Sequence, residues 1–295
     1  MMRPGPLRGE PFEAFVAPAR RRPALWRLGL GLLLILLCGV FGAGLMGGVA
    51  IALGLAPEGA GRTIALLVSF AGLTLGAVLA ARLLGPRGGR TLLGPGGLRP
   101  RAFAAGMLAT AAIYAAYALI VVGFGIAWNG ADAEMPVRAW LTMLPLALLA
   151  LFIQTSAEEI VFRGYLLQGL AARFTSPAIW LVAPAVVFGL LHWDPARHGV
   201  NAPLVVLAIT VIGVALGDVT ARTGNLSAAM GLHFAHNAVA LLWFAQSGPL
   251  DELALRTSDA AAEPALLRGL LLAYIGVLLA GYGLWLAWNH RRPRG

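Results

Sequence analysis

The chain has 295 residues, of which 59% are hydrophobic and 12% charged, with a mean hydropathy of +0.80, whereas soluble domains carry about 25% charged residues. Too few polar residues remain to cover a water-exposed globule of this size, so a soluble enzyme is excluded and the bilayer is the first solvent to consider. The net charge of +9 reflects 22 basic residues, all arginine; they lie mostly in gaps between apolar runs rather than in a patch interleaved with aromatics, which excludes nucleic acid as a partner.

The first 27 residues hold Arg3, Arg8, Arg20, Arg21, Arg22 and Arg27 among several prolines. They are expected to stay in the cytoplasm and to be partly disordered. The apolar run from Leu28 to Leu55 is longer than the about 7 to 15 apolar residues of a secretory signal, so it reads as a retained anchor. Cys38 lies within it and is the chain's one cysteine; no intrachain disulfide is possible, and a small buried hydrophobe is the plain reading. Leu36 and Leu37 precede it, without the small residue of a lipoprotein attachment site.

Seven further runs follow: Thr63 to Leu84, Phe103 to Trp128, Ala139 to Ala172, Ala178 to Trp193, Val200 to Leu216, Leu226 to Phe244 and Ala265 to Trp288. At about 20 residues per span, the fold class is all-α, a polytopic membrane protein with about eight transmembrane helices. The two shortest runs, around His192 and around Val206, are expected to gain length from their flanks. With the N-terminus inside, Arg82, Arg87, Arg90, Arg99, Arg101, Arg163, Arg173, Arg222, Arg291, Arg292 and Arg294 fall in inner segments. The outer segments hold Arg62, Arg138, Arg197, Arg256 and, at a helix edge, Arg268, and the outer loop Ser247 to Pro264 is acidic through Asp251, Glu252, Asp259 and Glu263. This asymmetry places both termini in the cytoplasm. The expected organisation is an Arg-rich segment over 1–27, one transmembrane domain over 28–289 with a catalytic core at 139–244, and a tail at 290–295. Gly44/Gly48, Gly72/Gly76 and Gly213/Gly217 put small residues four apart, a pattern for close helix packing within the chain.

An ionisable side chain at bilayer depth costs about 2.5 to 3.5 kcal/mol, so such groups mark function unless they are paired for structure. The fourth run contains Ser156-Ala157-Glu158-Glu159-Ile160-Val161-Phe162-Arg163. On a helix Arg163 shares the face of Glu159, four residues earlier, while Glu158 is turned away by about 100°. Glu159 is therefore expected to pair with Arg163 and to leave Glu158 free for chemistry. The next run carries Phe188-Gly189-Leu190-Leu191-His192 and the seventh carries His233-Phe234-Ala235-His236-Asn237, in which His233 and Asn237 share a face and His236 points elsewhere. A lone histidine in an apolar helix is more often a satisfied core residue. Two carboxylates and several histidines spread over three spans point instead to a site. Glu158 stands 15 residues before Arg173, His192 15 after Pro177 and Asn237 15 beyond Arg222, which sets all three about 22 Å from a helix end and lets them meet at one level.

These three elements, Glu-Glu-x-x-x-Arg, Phe-x-x-x-His and His-x-x-x-Asn, resemble in order and context the motifs of the CPBP family of intramembrane proteases. The family is also called the CAAX-protease and bacteriocin-processing, or Abi, family and includes the Rce1-type prenyl-protein endopeptidases. The resemblance covers roughly Ala139 to Phe244. It implies an endopeptidase in which Glu158 with His192 activates a water, His233 with Asn237 stabilises the oxyanion, and Glu159 with Arg163 holds the base in place; Phe188 supports the site. Those residue types suit the tasks, since a carboxylate away from water is a stronger base and fixed donors at a developing oxyanion contribute about 3 to 4 kcal/mol. The resemblance favours a mechanism without cofactor. The alternative is zinc, for which Glu158, His192 and His233 are the candidate ligands, although no His-Glu-x-x-His is present.

Other chemistries lack their parts. No Gly-x-Ser nucleophile of the rhomboid kind occurs, and Asp218 beside Gly217 has no second aspartate for two-aspartate catalysis. Ser156 and Ser227 read as small packing or capping residues. The competing functions are a membrane binding or regulatory protein of the immunity type, which keeps the site without turnover, and a transporter or proton relay, against which the lack of a repeated half argues. Expected partners are membrane lipid and a membrane-associated protein or peptide, whether prenylated or not. The sequence assigns no oligomeric state. The lysine-free, Ala-, Gly- and Arg-rich composition fits a bacterial plasma membrane.

Overall fold

The structure, a computed structural model, describes residues 7–56, 59–123, 133–248, 250–258 and 263–291, and about 82% of these described residues are helical. Arg3, the end of the third expected span at 124–128, Asp259 in the acidic loop and the tail from 292 lie outside the described residues.

In chain order the helices are α1 Glu10–Val16, α2 Leu25–Ala52, α3 Ala60–Ser69, α4 Ala71–Leu83, α5 Pro100–Gly123, α6 Val137–Glu159, α7 Gln168–Arg173, α8 Ala183–Leu190, α9 Pro195–His198, α10 Ala202–Thr223, α11 Ser227–Ala238 and α12 Pro264–Arg291. Wider π-helical turns join α6 to α7 at Ile160–Leu167, lead into α8 at Ala178–Val182 and extend α11 at Val239–Trp243. Among the described residues, six helical stretches are long and apolar enough to cross a membrane: Leu25–Ala52, Ala60–Leu83, Pro100–Gly123, Val137–Arg173, Pro195–Thr223 and Pro264–Ala287. The chain is thus an all-α, multi-pass membrane protein.

The expected eight spans become six long helices and two short ones. The helix around Val206 gains its flanks, as expected. The helix around His192 does not, because the backbone turns after Leu190 ahead of Pro195. The seventh run begins after Gly224, held in the left-handed region at φ 62°, and its 12 α-helical residues and 5 π-helical residues stop at a strand. These two short helices lie against long ones, α8 on α10 and α11 on α5 and α6. They are also the two that carry the histidine motifs.

Large apolar side chains cover the outer faces of the long helices: Phe41 is 70% exposed, Leu108 72%, Leu119 75% and Leu284 73%. Single exposed apolar residues are ordinary, but whole helix faces of them fit only a hydrocarbon solvent. Close helix contacts use small residues. A Cβ on Gly106 of α5 would stand 2.8 Å from the backbone nitrogen of Leu232, and one on Gly231 of α11 would stand 2.8 Å from the carbonyl carbon of Phe103. The two glycines let α5 and α11 cross at van der Waals distance, which fixes the helix that bears His233. Gly72 and Gly76 receive α2 in the same way, Gly213 and Gly217 meet Ala185 and Leu181, and Gly44 and Gly48 face open space.

The Arg-rich segment departs from the expected partial disorder over its described part. Phe12, Phe15 and Val16 of α1 are fully buried, the Phe12 ring lies 4.7 Å from that of Trp180, and Arg8 donates to the carbonyl of Ala171 at 2.8 Å. The spacing i, i+3, i+4 of these three residues makes one apolar helix face. It plugs the core cluster formed with Leu167, Leu226 and Met230. At the other end of the bundle a small sheet joins the loops: β1 Ala133–Glu134 pairs antiparallel with β3 Arg256–Ser258, which pairs parallel with β2 Phe244–Gln246, aligning Phe244 with Arg256.

Candidate active site

The site is assembled from the last turns of α6, the start of the π segment after it, the end of α8 and the second half of α11. The pair expected from spacing forms: Arg163 Nη1 donates to Glu159 Oε1 at 2.8 Å, with the two side chains 3% and 0% exposed. Arg163 Nη2 also donates to the carbonyl of Gly213 on α10 at 3.2 Å, and its guanidinium lies 5.0 Å from the centre of the Phe188 ring. A π-helical stretch beginning directly after Glu159 matches the tendency of such turns to occur at functional sites.

His233 joins the two carboxylates. Its Nδ1 is 2.8 Å from Glu159 Oε1 and its Nε2 is 3.4 Å from Glu158 Oε2. Carboxylate oxygens accept, so the ring donates toward both only as imidazolium. In that state two carboxylates and two cations sum to zero charge, which suits an apolar surrounding. Glu158 keeps 13% of its side chain exposed, while Glu159 is sealed.

His192 is exposed at the end of α8, and its Nδ1 lies 2.9 Å from the carbonyl oxygen of Phe188. A carbonyl only accepts, so Nδ1 carries the proton and Nε2 of the neutral ring is left as an acceptor. The Phe188 ring stands between the histidines, 5.1 Å from His192 and 5.9 Å from His233 centre to centre. Asn237 Nδ2 donates to Gln154 Oε1 at 3.2 Å. The structure thus brings Glu158, Glu159, Arg163, Phe188, His192, His233 and Asn237 to one place.

His236 does point elsewhere, with its Nδ1 2.9 Å from the Tyr114 hydroxyl and 2.8 Å from that of Tyr274. Ser227 binds backbone, accepting from the amide of Arg99 at 2.8 Å, and Ser156 is buried with an unpartnered hydroxyl among the described residues. Asp218 is tied to Arg222 at 2.7 Å and to the Tyr282 hydroxyl at 2.6 Å.

Gln154 is the site residue that sequence reasoning missed. It is 6% exposed, one helical turn before Glu158, and it holds the Asn237 amide. Its spacing of four from Glu158 was the available signal. Among the described residues no three His, Cys, Asp or Glu side chains meet the geometry of a metal site, although Glu158, His192 and His233 are neighbours. His192 keeps Nε2 as an acceptor, with Nδ1 on a carbonyl as in a ligating histidine, whereas both His233 nitrogens face carboxylates.

Residues 139–239 match the Rce1-like family, the type II CAAX prenyl endopeptidases. The uncharacterized protein YyaK of Bacillus subtilis (strain 168) is 30% identical over 104 residues, which is 35% of this chain and 35% of that relative. The match therefore spans about a third of the relative's length. No solved structure matches the chain. The matched segment holds all three motifs and every helix that supplies a side chain to the cluster. Residues 139–239, about a third of the chain, are thus similar to the Rce1-like family, and this match supports the resemblance of the three motifs to the CPBP, or CAAX-protease, family.

Proposed function

We propose that the protein is an intramembrane endopeptidase of the cell membrane, with both termini cytoplasmic, that cleaves a membrane-associated or lipidated peptide by a glutamate-activated water. One observation carries the reading: of two adjacent carboxylates, Glu159 is sealed between Arg163 and His233, while Glu158 stays 13% exposed beside His233. A purely structural ion pair needs only the first. The second is a carboxylate kept open to a small molecule at a depth where exposed charge is costly.

The hydrolysis follows from the side chains present. A water held between Glu158 and the bare Nε2 of His192 gives one proton to Glu158 as its oxygen adds to the scissile carbonyl carbon. Glu159 retains His233 as a donor, and His233 Nε2–H with the second Nδ2–H of Asn237 stabilises the resulting oxyanion, each such donor contributing about 3 to 4 kcal/mol. On collapse the C–N bond breaks and Glu158 passes its proton to the leaving amine. No step requires a metal.

The test is cleavage of membrane-anchored and lipidated peptides by the full-length protein in liposomes. Glu158→Ala and His192→Ala should each lower turnover by about 10²- to 10⁴-fold, and a chelator should leave the wild type unchanged. Turnover that survives in Glu158→Ala rejects the mechanism, and loss with chelator that zinc restores moves it to the metal alternative.

A further inference from the structure

A notch on the arginine-bearing end of the bundle lies between the segment that leads into α2, the end of α4 and the π-helical turn after Glu159. Its wall includes Arg22, Arg27, Arg87, Tyr165 and Gly169. Three guanidinium groups therefore border one small cavity, and among the described residues none of them is paired with a carboxylate. Of the two acids on the neighbouring helix α1, Glu13 is already engaged by Arg8 and Arg20, and Glu10 forms no ion pair with the three arginines of the notch.

Arg87 is the informative member. It is 7% exposed, and its contacts are neutral: Nη1 donates to Gln168 Oε1, and the guanidinium sits 5.9 Å from the centre of the Tyr165 ring. Gln168 is itself fixed by donating to the carbonyl of Thr91 at 2.9 Å. A buried cation without a counter-charge is unfavourable unless an anion completes it. Burial lowers the group to about 10, so it remains charged at neutral pH. Arg27 is fixed as well, donating from Nη1 to the carbonyl of Leu84 at 3.0 Å at the end of α4 and stacking 4.5 Å over the Trp26 ring. Arg22 is exposed and completes the rim.

Depth identifies the anion. Trp26 opens α2, is 59% exposed and lies beside the notch, and exposed tryptophans at helix ends mark the headgroup level of a bilayer. Basic pockets between membrane helices at that level accept lipid headgroups, and guanidinium forks match phosphate oxygens in pairs. We propose that the notch formed by Arg22, Arg27 and Arg87 binds the phosphate of an anionic phospholipid headgroup. Arg27 and Arg87 supply preset donors, and Arg22 closes over the ligand. The bound lipid ties the start of α2 to the helix that carries Glu158.

The experiment uses full-length protein in detergent, titrated with phosphatidylglycerol or phosphatidylcholine, with retained lipid counted by native mass spectrometry. The wild type should retain one phosphatidylglycerol in preference to phosphatidylcholine. Arg22→Gln and Arg87→Gln should each weaken that retention by about fivefold, as expected for one arginine at a membrane surface. Arg101→Gln, exposed at the start of α5 on the same end, should leave it unchanged. If Arg87→Gln does not fold, Arg22→Gln decides alone. Equal retention of the two lipids, or an equal loss in Arg101→Gln, overturns the site in favour of diffuse charge attraction. A rise in melting temperature with inorganic phosphate but not with phosphatidylglycerol assigns the notch to the free ion and overturns the lipid.

Discussion

Two helices of this protein bury an acid and an arginine four residues apart, and the two regions are built differently. On α6 and its π extension, Glu159 and Arg163 are 2.8 Å apart at 0% and 3% exposure; on α10, Asp218 and Arg222 are 2.7 Å apart at 1% and 21%. The α10 pair is completed by a single hydroxyl, that of Tyr282 at 2.6 Å, with the Arg222 guanidinium 6.0 Å from the Trp285 ring. It fastens α12 to α10 and ends there. The α6 pair is completed by a histidine whose other nitrogen faces a further, partly open carboxylate. The two buried ion pairs thus differ in that only the one on α6 has a surplus carboxylate held against it. Replacing the acid of each pair by its amide separates the two roles.

The largest effect belongs to Glu159→Gln. Arg163 at 3% exposure has no route to water, so an uncompensated charge remains, and the loss of stability should be about 3 to 5 kcal/mol. The same change leaves His233 Nδ1 only a neutral amide oxygen in place of the charged acceptor that favours its imidazolium, so turnover should fall even in protein that remains folded. Thermal unfolding in detergent and cleavage per folded molecule measure the two losses separately. A variant that loses stability but keeps full turnover would show Glu159 to be as structural as Asp218.

Asp218→Asn should do less. Arg222 retains 21% exposure and can turn toward water, so the penalty is that of a lost charged hydrogen bond, about 1.5 to 3 kcal/mol. Cleavage per folded molecule should match the wild type. A fall in turnover comparable to that of Glu159→Gln would make α12 part of the active machinery and erase the distinction between the regions.

The sequence carried the α6 pair because a spacing of four is a local property of the helix, and the same rule placed His233 and Asn237 on one face. Long apolar runs were likewise legible, since their length alone fits hydrocarbon. What escaped depends on partners distant in the chain. Nothing local says that Phe12, Phe15 and Val16 fill a core made by Leu226 and Met230, although their spacing shows that they form a face. Nothing local distinguishes Arg87, buried against Gln168, from the many arginines that mark inner loops. Six of the eight expected spans are matched by helices long enough to cross a membrane among the described residues; apolar content and helix length part company at Ala178–Leu190 and in the helix starting at Ser227. The helix starting at Ser227 is largely buried among its neighbours, whereas Ala178–Leu190 still presents Val186, Val187 and Leu190 on an exposed face.

Tyr282→Phe should have the smallest effect and gives the sharpest comparison. The ring keeps its stacking at 6.1 Å on Trp285, and Asp218 keeps Arg222, so only the hydroxyl bond is lost; about 1.5 kcal/mol is expected, the low end for a bond to a charged group. The two regions nevertheless share α10, since Gly213, whose carbonyl accepts from Arg163, lies five residues before Asp218, about 7.5 Å along the helix axis. If they are independent, combining Tyr282→Phe with Glu159→Gln should add to within about 0.5 kcal/mol. A larger interaction energy in that double-mutant cycle would mean that α10 transmits the fastening of α12 to the carbonyl that holds Arg163, so that the pair on α10 helps to set the geometry of the pair beside Glu158.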